Sequence, residues 1–107
     1  MLAEQDRLVI ERFKKLMLER GVPLYSTVVF GSRARGDHDP DSDYDVLVVV
    51  GRLDRTIRQT ISHCAWEAGF QDCLVIVPVV VTRDDMEHSP LRSSLLMQAI
   101  REEGVPV

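Results

Sequence analysis

Residues 30–45, read as Phe-Gly-Ser-Arg-Ala-Arg-Gly-Asp-His-Asp-Pro-Asp-Ser-Asp-Tyr-Asp, constrain the fold of this chain more than any other stretch. Gly31 and Ser32 follow one apolar run, and Asp43 and Asp45 come directly before or at the start of another. Both runs are rich in β-branched residues, which is typical of buried strands. The pattern therefore predicts a glycine turn and a pair of carboxylates at the ends of two neighbouring strands.

The two carboxylates are suited to a hard cation. Alternate residues of a strand share one face, so Asp43 and Asp45 project to the same side with Cα atoms about 7 Å apart. Two carboxylates at this separation can converge on Mg²⁺, which needs only one or two protein carboxylates besides waters and substrate phosphates. Without a cation the two charges would repel each other, so we expect a ligand here.

The glycine turn is suited to an anion. Gly31 lets the backbone approach a phosphate closely, and Ser32 offers a hydroxyl and an N–H at the beginning of a helical turn that Gly36 closes. Arg33 and Arg35 could add positive charge for a phosphate, or they could pair with the neighbouring aspartates. The sequence leaves both alternatives open.

Three other motifs with glycines and acids do not fit. A Walker A loop needs a lysine after Gly36, and none is present. An EF-hand loop that started at Asp37 would have Ser42 where glycine is needed and Val48 where glutamate is needed. A dinucleotide-binding fingerprint needs three glycines at its own spacing, and this stretch has two.

Hydrophobic periodicity predicts three helices and three strands around this stretch. The helices are predicted over residues 3–20, over 54–68 with Asp54 as N-cap and Gly69 after its end, and from Ser89-Pro90 to Gly104. The predicted buried faces are Val9, Phe13, Leu16 and Met17; Ile57, Ile61, Cys64, Ala65 and Ala68; and Leu91, Leu95, Leu96 and Ala99. The strands are predicted over 24–30, 43–50 and 72–81, with a polar loop at 37–42, a capping box at Thr82 and a short strand at 105–107.

The order of these elements predicts an α/β (α+β) domain, in which helices flank a small mixed sheet. Pro78 interrupts the third strand, which indicates an edge position or a bulge. At 107 residues, we expect residues 1–107 to form a single domain.

Composition limits the function classes. The net charge is −4, which disfavours an extended nucleic-acid surface but leaves small anionic ligands such as nucleotides open. The apolar stretches are too short to span a bilayer and the first residues do not resemble a signal peptide, so we expect a cytoplasmic protein. Cys64 and Cys73 have no metal-ligand spacing, and we expect both to be reduced and buried.

Taken together, Gly31-Ser32, ten intervening residues and Asp43-Tyr44-Asp45 resemble the signature of the DNA polymerase β-like nucleotidyltransferase superfamily. The fuller form, Gly-Ser-Arg-Ala-Arg-Gly followed by Ser-Asp-x-Asp, is similar to the minimal nucleotidyltransferase (MNT) branch. The resemblance implies the nucleotidyltransferase fold and two Mg²⁺ ions held by Asp43 and Asp45. It further implies that Gly31 and Ser32, with Arg33 beside them, bind the triphosphate of a nucleotide.

The implied reaction is transfer of a nucleoside monophosphate, AMP from ATP, to an acceptor hydroxyl. MNT proteins commonly act as antitoxins of HEPN-domain proteins, so the resemblance implies a HEPN-domain partner. A homo-oligomer is left open, and no membrane partner is expected.

One residue departs from the family pattern. The superfamily usually carries a third aspartate on a later strand, where it helps to hold metal and to deprotonate the acceptor. Its equivalent here would fall near Val77, and the stretch from Leu74 to Val81 contains no acid. Two functions therefore remain: an active Mg²⁺-dependent nucleotidyltransferase, or a catalytically impaired domain that acts as a binding or antitoxin subunit.

Overall fold

The computed structural model describes residues 2–36, 42–88 and 94–107. Within these ranges the chain forms five helices and four strands. The helices are α1 (Glu4–Glu19), α2 (Ser32–Arg35), α3 (Arg55–Phe70), α4 (Arg83–His88) and α5 (Leu95–Glu103). The strands are β1 (Leu24–Phe30), β2 (Tyr44–Val50), β3 (Ile76–Thr82) and β4 (Val105–Pro106). The predicted α/β order is confirmed.

The four strands form one mixed sheet in the order β3-β2-β1-β4. β1 is antiparallel to both of its neighbours, whereas β2 and β3 run parallel and are joined through α3. The parallel pair needs such a crossover, because a tight turn can only join antiparallel strands. The predicted short strand at the carboxyl end is present as β4.

Helices cover both faces of the sheet, so β2 is buried on both sides. One core lies against α1 and α3 and takes alternate residues of β2, among them Val46 and Val48. The other lies against α4 and α5 and takes Leu47 and Val49. The near-continuous valine and leucine run in the sequence has this physical cause, since a strand covered on both faces has no solvent side for polar residues.

The edge position predicted from Pro78 is confirmed, because β3 is a terminal strand of the sheet. The predicted start of this strand was four residues too early, since β3 begins at Ile76. Gly69 was predicted to follow the end of its helix, but it lies inside α3, which continues to Phe70. A Cβ at Gly69 would come 2.3 Å from the carbonyl oxygen of Leu74, so glycine is needed where the chain folds back from α3.

The capping box at the start of α4 is confirmed. The Asp85 N–H donates to the Thr82 hydroxyl (3.0 Å), and the Thr82 N–H donates to the Asp85 carboxylate (3.4 Å).

The last helix differs from its prediction. Ser94 caps α5 by accepting from the Met97 N–H at 3.2 Å, and the predicted Ser89-Pro90 start and Leu91 lie outside the described residues. Leu95 is 85% exposed and Leu96 is also exposed, so the predicted buried face was wrong. The helix buries Met97 and Ile100 instead, because α5 is rotated about its own axis relative to the predicted orientation against the sheet.

The two cysteines differ in their environments. Cys64 is buried in α3, as predicted, whereas Cys73 is exposed in the turn before β3. The prediction for Cys73 was wrong because the strand starts later than expected. Both thiols are free.

Among the described residues, no helix combines the length and apolarity needed to cross a bilayer.

Candidate active site

The two predicted carboxylates, Asp43 and Asp45, lie at the start of β2. Asp45 is paired with Phe30 of β1 on one side and with Val77 of β3 on the other. By strand alternation its side chain shares a face with Leu47, the face covered further along by α5. Asp43 comes just before the strand and is exposed. The pair therefore lies at the margin of the sheet where β2 begins, beside a covered core.

Gly31 lies directly against the Asp45 carboxylate. A Cβ built at Gly31 would come 2.4 Å from Oδ2 of Asp45, which is far inside van der Waals contact. The backbone of Gly31 also has a φ of +77°, a conformation that side chains other than glycine rarely adopt. The predicted glycine turn and the predicted carboxylate are therefore adjacent, and glycine is required at this position for two independent reasons.

The helical turn predicted after Gly31 is confirmed as α2. Gly36 closes it with a φ of +84°, and its N–H donates to the carbonyl of Ser32 at 2.9 Å. The N–H groups at the beginning of a helical turn have no acceptor within that turn. α2 begins at Ser32, so its first N–H groups come immediately after Gly31, the residue that lies against the Asp45 carboxylate.

Burial raises the pKa of Asp45, and the nearby charge of Asp43 raises it further, while Arg35 lowers it. The half-buried carboxylate is thus costly to ionise in the protein alone. A divalent cation between the two groups would relieve both costs, because carboxylate oxygens are ligands that Mg²⁺ prefers. The donor set of Asp43 and Asp45 therefore fits such an ion.

The guanidinium of Arg33, which the resemblance assigned to phosphate binding, is directed into the protein. Its side chain is 6% exposed and forms an ion pair with Asp6 at 3.2 Å. It also lies over the ring of Tyr44, 4.3 Å from the centroid, and donates to the carbonyl of Ser42. The side chain has structural partners, so a contribution of Arg33 to phosphate binding would come from its backbone N–H in α2.

Arg35 lies on the exposed side of the same turn. Its guanidinium is 3.0 Å from the carboxylate of Glu103 in α5, and its charge lowers the pKa of Asp45. Arg35 is therefore the arginine of this turn whose charge acts on the candidate site. Asp37, His38, Asp39 and Asp41 of the predicted loop lie outside the described residues.

Asp6 is a residue that the sequence analysis missed. It is buried in the first turn of α1, where it accepts hydrogen bonds from Arg33 and from the Tyr44 hydroxyl, the latter at 2.5 Å. Burial and the bond to Asp6 raise the pKa of Tyr44, so Tyr44 is the neutral donor of this pair. Its burial could have been predicted from the sequence, because Asp6 lies four and seven residues before Ile10 and Phe13, on the buried stripe of the helix.

The position predicted for a third carboxylate is held by Val77. The parallel register places Val77 beside Asp45, and its side chain is 39% exposed. Two acids that flank β3 in the sequence have other partners: Asp72 pairs with Arg12, and Asp85 caps α4. Across residues 2–36, 42–88 and 94–107, no three His, Cys, Asp or Glu side chains are grouped to hold a metal.

Comparison with solved structures defines the class of fold. A toxin–antitoxin structure with AMP-PNP matches with a TM-score of 0.62 at 22% identity, over 90% of this chain and 69% of that chain. A tri-AMPylated Shewanella oneidensis HEPN toxin in complex with an MNT antitoxin matches with a TM-score of 0.57 at 20% identity, over 94% and 69%. The toxin–antitoxin MntA–HepT matches with a TM-score of 0.56 at 20% identity, over the same shares. This chain therefore has the nucleotidyltransferase fold.

The family follows from the sequence. Residues 10–102 match the family model described as a nucleotidyltransferase domain. The chain belongs to this family, as the resemblance of residues 30–45 indicated. A comparison with curated proteins found no match.

Proposed function

We propose that this chain is an Mg²⁺-dependent nucleotidyltransferase that transfers AMP from ATP to a hydroxyl of a HEPN-domain toxin and acts as its antitoxin in the cytoplasm. The acceptor class is taken from the solved relatives, which include an AMPylated HEPN toxin bound to an MNT antitoxin. The family supports nucleotide transfer in general. The choice of AMP and of a HEPN partner is the part of this proposal that needs testing.

The contact between Gly31 and Asp45 carries the proposal. It joins a turn suited to phosphate with a carboxylate suited to a divalent cation, since no side chain separates the two. A nucleoside triphosphate complexed with Mg²⁺ is a ligand that needs both at once. Neither group alone would favour a nucleotide over other anions or metals.

Each residue has a stated role in this proposal. Asp43 and Asp45 would hold Mg²⁺, which when bound supplies positive charge to the phosphates. Gly31 and Ser32 would hold the triphosphate with the backbone, and the charge of Arg35 lies on the same side. Val77 cannot accept the proton of the acceptor hydroxyl, so we expect turnover to be slower than with a carboxylate at that position.

A second function follows from Val77. A domain with two carboxylates could bind nucleotide yet transfer it too slowly to matter, and it would then neutralise a toxin by contact alone. The observation that favours this alternative is the pairing of Val77, and not an acid, with Asp45.

Intact-mass analysis of a candidate HEPN-domain partner separates the two functions. The partner is incubated with this chain, ATP and Mg²⁺, and an AMP adduct is expected. The adduct should be lost with Asp43→Ala and with Asp45→Ala. Asp84→Ala serves as the matched control, because this exposed aspartate lies on α4 and pairs with His88.

The outcomes point in different directions. An adduct that requires Asp43 and Asp45 supports the transferase. Neutralisation of the toxin that persists in Asp43→Ala/Asp45→Ala, with no adduct, supports the binding subunit and contradicts transfer as the mechanism.

A further inference from the structure

Asp6, Arg33 and Tyr44 form one buried polar cluster, here called the Asp6 cluster. Oδ1 of Asp6 accepts from Nη1 of Arg33 at 3.2 Å and from the hydroxyl of Tyr44 at 2.5 Å. The side chains of Asp6 and Arg33 are 5% and 6% exposed. The three residues come from α1, α2 and β2, so the cluster ties three elements together at one point.

Two members of the cluster are chain neighbours of the candidate site. Arg33 follows Ser32, and Tyr44 lies between Asp43 and Asp45. Because successive residues of a strand point to opposite faces, the Tyr44 side chain lies on the face of the sheet opposite to the face that carries Asp45 and the candidate site. Asp6 is therefore on the far side from the site and, among the described residues, acts on it through its contacts with Arg33 and Tyr44.

The Arg33 side chain connects the Gly31–Ser32 turn to strand β2. Its guanidinium lies over the Tyr44 ring, with 4.3 Å between Cζ and the centroid, and it donates to the carbonyl of Ser42 from both Nε (3.2 Å) and Nη2 (2.8 Å). The Arg33 side chain thus connects the Gly31–Ser32 turn to the start of β2, the strand that carries Asp45. Asp6 fixes this side chain through a charge-assisted hydrogen bond.

The cluster is an expensive way to stabilise a fold. Burying a carboxylate and a guanidinium costs desolvation that a well-packed apolar group would avoid. Oδ2 of Asp6 is buried and has no hydrogen-bond partner among the described residues, which adds to that cost. A role in fixing geometry accounts for such a cluster better than stability does.

We propose that Asp6 is a positioning residue of the candidate site, which holds the Gly31–Ser32 turn in place against the strand that carries Asp43 and Asp45. This inference rests on the proposed function for its consequence, which is nucleotide binding. Metal binding by the two carboxylates depends on one strand segment, whereas triphosphate binding needs the turn and the strand in fixed relation. Loss of Asp6 should therefore weaken nucleotide binding and spare metal binding.

The test compares Asp6→Asn with the wild-type chain in three measurements. AMP-PNP with Mg²⁺ is titrated by calorimetry, Mn²⁺ alone is titrated by electron paramagnetic resonance, and backbone amide hydrogen exchange is measured without ligand. We expect the affinity for AMP-PNP to fall about tenfold or more, on the scale of misplaced binding groups. We expect Mn²⁺ affinity to stay within about twofold, and exchange to rise together at residues 31–36 and 42–45.

Matched variants separate positioning from general destabilisation. Ile61→Val removes one methylene from the core that also contains Tyr44, where Ile61 is fully buried. It should leave AMP-PNP affinity unchanged although it also lowers the stability of the chain. If Asp6→Asn does not fold, Tyr44→Phe keeps the pair of Asp6 and Arg33 and removes only the hydroxyl, and a smaller change in the same direction is expected.

The result that overturns the inference is a fall in AMP-PNP affinity no larger than in Ile61→Val, or an exchange pattern without a joint change in the two segments. If the wild-type chain binds no AMP-PNP, the proposed function fails. The exchange pattern of Asp6→Asn then still decides whether Asp6 holds the turn against the strand.

Discussion

Asp45 and Val77 are direct partners across the parallel ladder between β2 and β3. Neighbouring strands lie about 4.8 Å apart, and paired residues in such a ladder point to the same face. The side chain of Val77 therefore lies beside the Asp45 carboxylate, and it is partly exposed. A carboxylate at position 77 would come within reach of a cation held by Asp43 and Asp45.

Val77→Asp is expected to increase nucleotide transfer. It would supply a third metal ligand and a base beside Asp45, and a positioned general base contributes roughly 10²–10⁴ in rate. A gain of about tenfold or more in the initial rate of AMP-adduct formation is the expected measurement. Val77→Asn is the control, because it has nearly the same shape and no charge. Equal rates in the two variants would contradict the assignment of position 77.

Gly31→Ala is expected to damage both the fold and the site. The new Cβ would meet Oδ2 of Asp45 at 2.4 Å, and the backbone φ of +77° is strained for alanine. We expect a loss of about 3 kcal/mol in the free energy of unfolding, measured by urea denaturation, together with weaker Mn²⁺ binding.

Gly36→Ala is the matched control for that variant. Gly36 has a similar φ of +84°, but a Cβ there would meet no atom of the described part of the chain within 4 Å. Backbone strain alone should cost about 1 kcal/mol and leave Mn²⁺ affinity unchanged. Equal effects of the two variants on Mn²⁺ affinity would show that the contact with Asp45 does not matter.

Asp45→Asn is expected to stabilise the metal-free protein at neutral pH. The folded state raises the pKa of Asp45 above its ordinary value of 3.8, so the folded chain binds that proton more tightly than the unfolded chain. Wild-type stability therefore falls as the pH rises through the interval from 3.8 to the raised pKa, and asparagine avoids this loss.

Thermal unfolding in EDTA provides the measurement for Asp45→Asn. A rise in Tm of a few degrees (about 2–5 °C) is expected at pH 7, and it should vanish as the pH falls below the ordinary carboxyl value. Asp43→Asn should raise Tm less, because it removes the repulsion but leaves Asp45 partly buried. A lower Tm for Asp45→Asn at pH 7 would contradict the electrostatic assignment.

The two cysteines should react with alkylating reagents at very different rates. Cys73 is exposed, whereas Cys64 is fully buried and burial raises the pKa of its thiol, so both access and the thiolate fraction disfavour Cys64. Peptide mass mapping after iodoacetamide treatment at pH 8 should find Cys73 modified at least about 100-fold faster in the native protein. In denaturant the rates should become similar. Rapid native labelling of Cys64 would contradict its burial.

The sequence alone determined the order of the elements and the chemistry of residues 30–45. These features depend on local patterns: β-branched runs predict strands, a glycine after a strand predicts a turn, and alternate aspartates share a face. The positions of Gly31, Asp43 and Asp45 could therefore be read before any fold was known. The prediction of Pro78 at a sheet edge succeeded for the same reason, since a missing N–H is a local property.

Only the tertiary structure decided which distant residues meet. Asp6 contacts Arg33 and Tyr44, residues 27 and 38 positions away, and no local pattern records those contacts. The rotation of α5, which exposes Leu95 and buries Met97, depends on where the helix meets the sheet. The pairing of Val77 with Asp45 likewise depends on the register that the crossover through α3 imposes. Contacts of this kind arise from packing between elements, and a one-dimensional pattern does not contain the geometry of that packing.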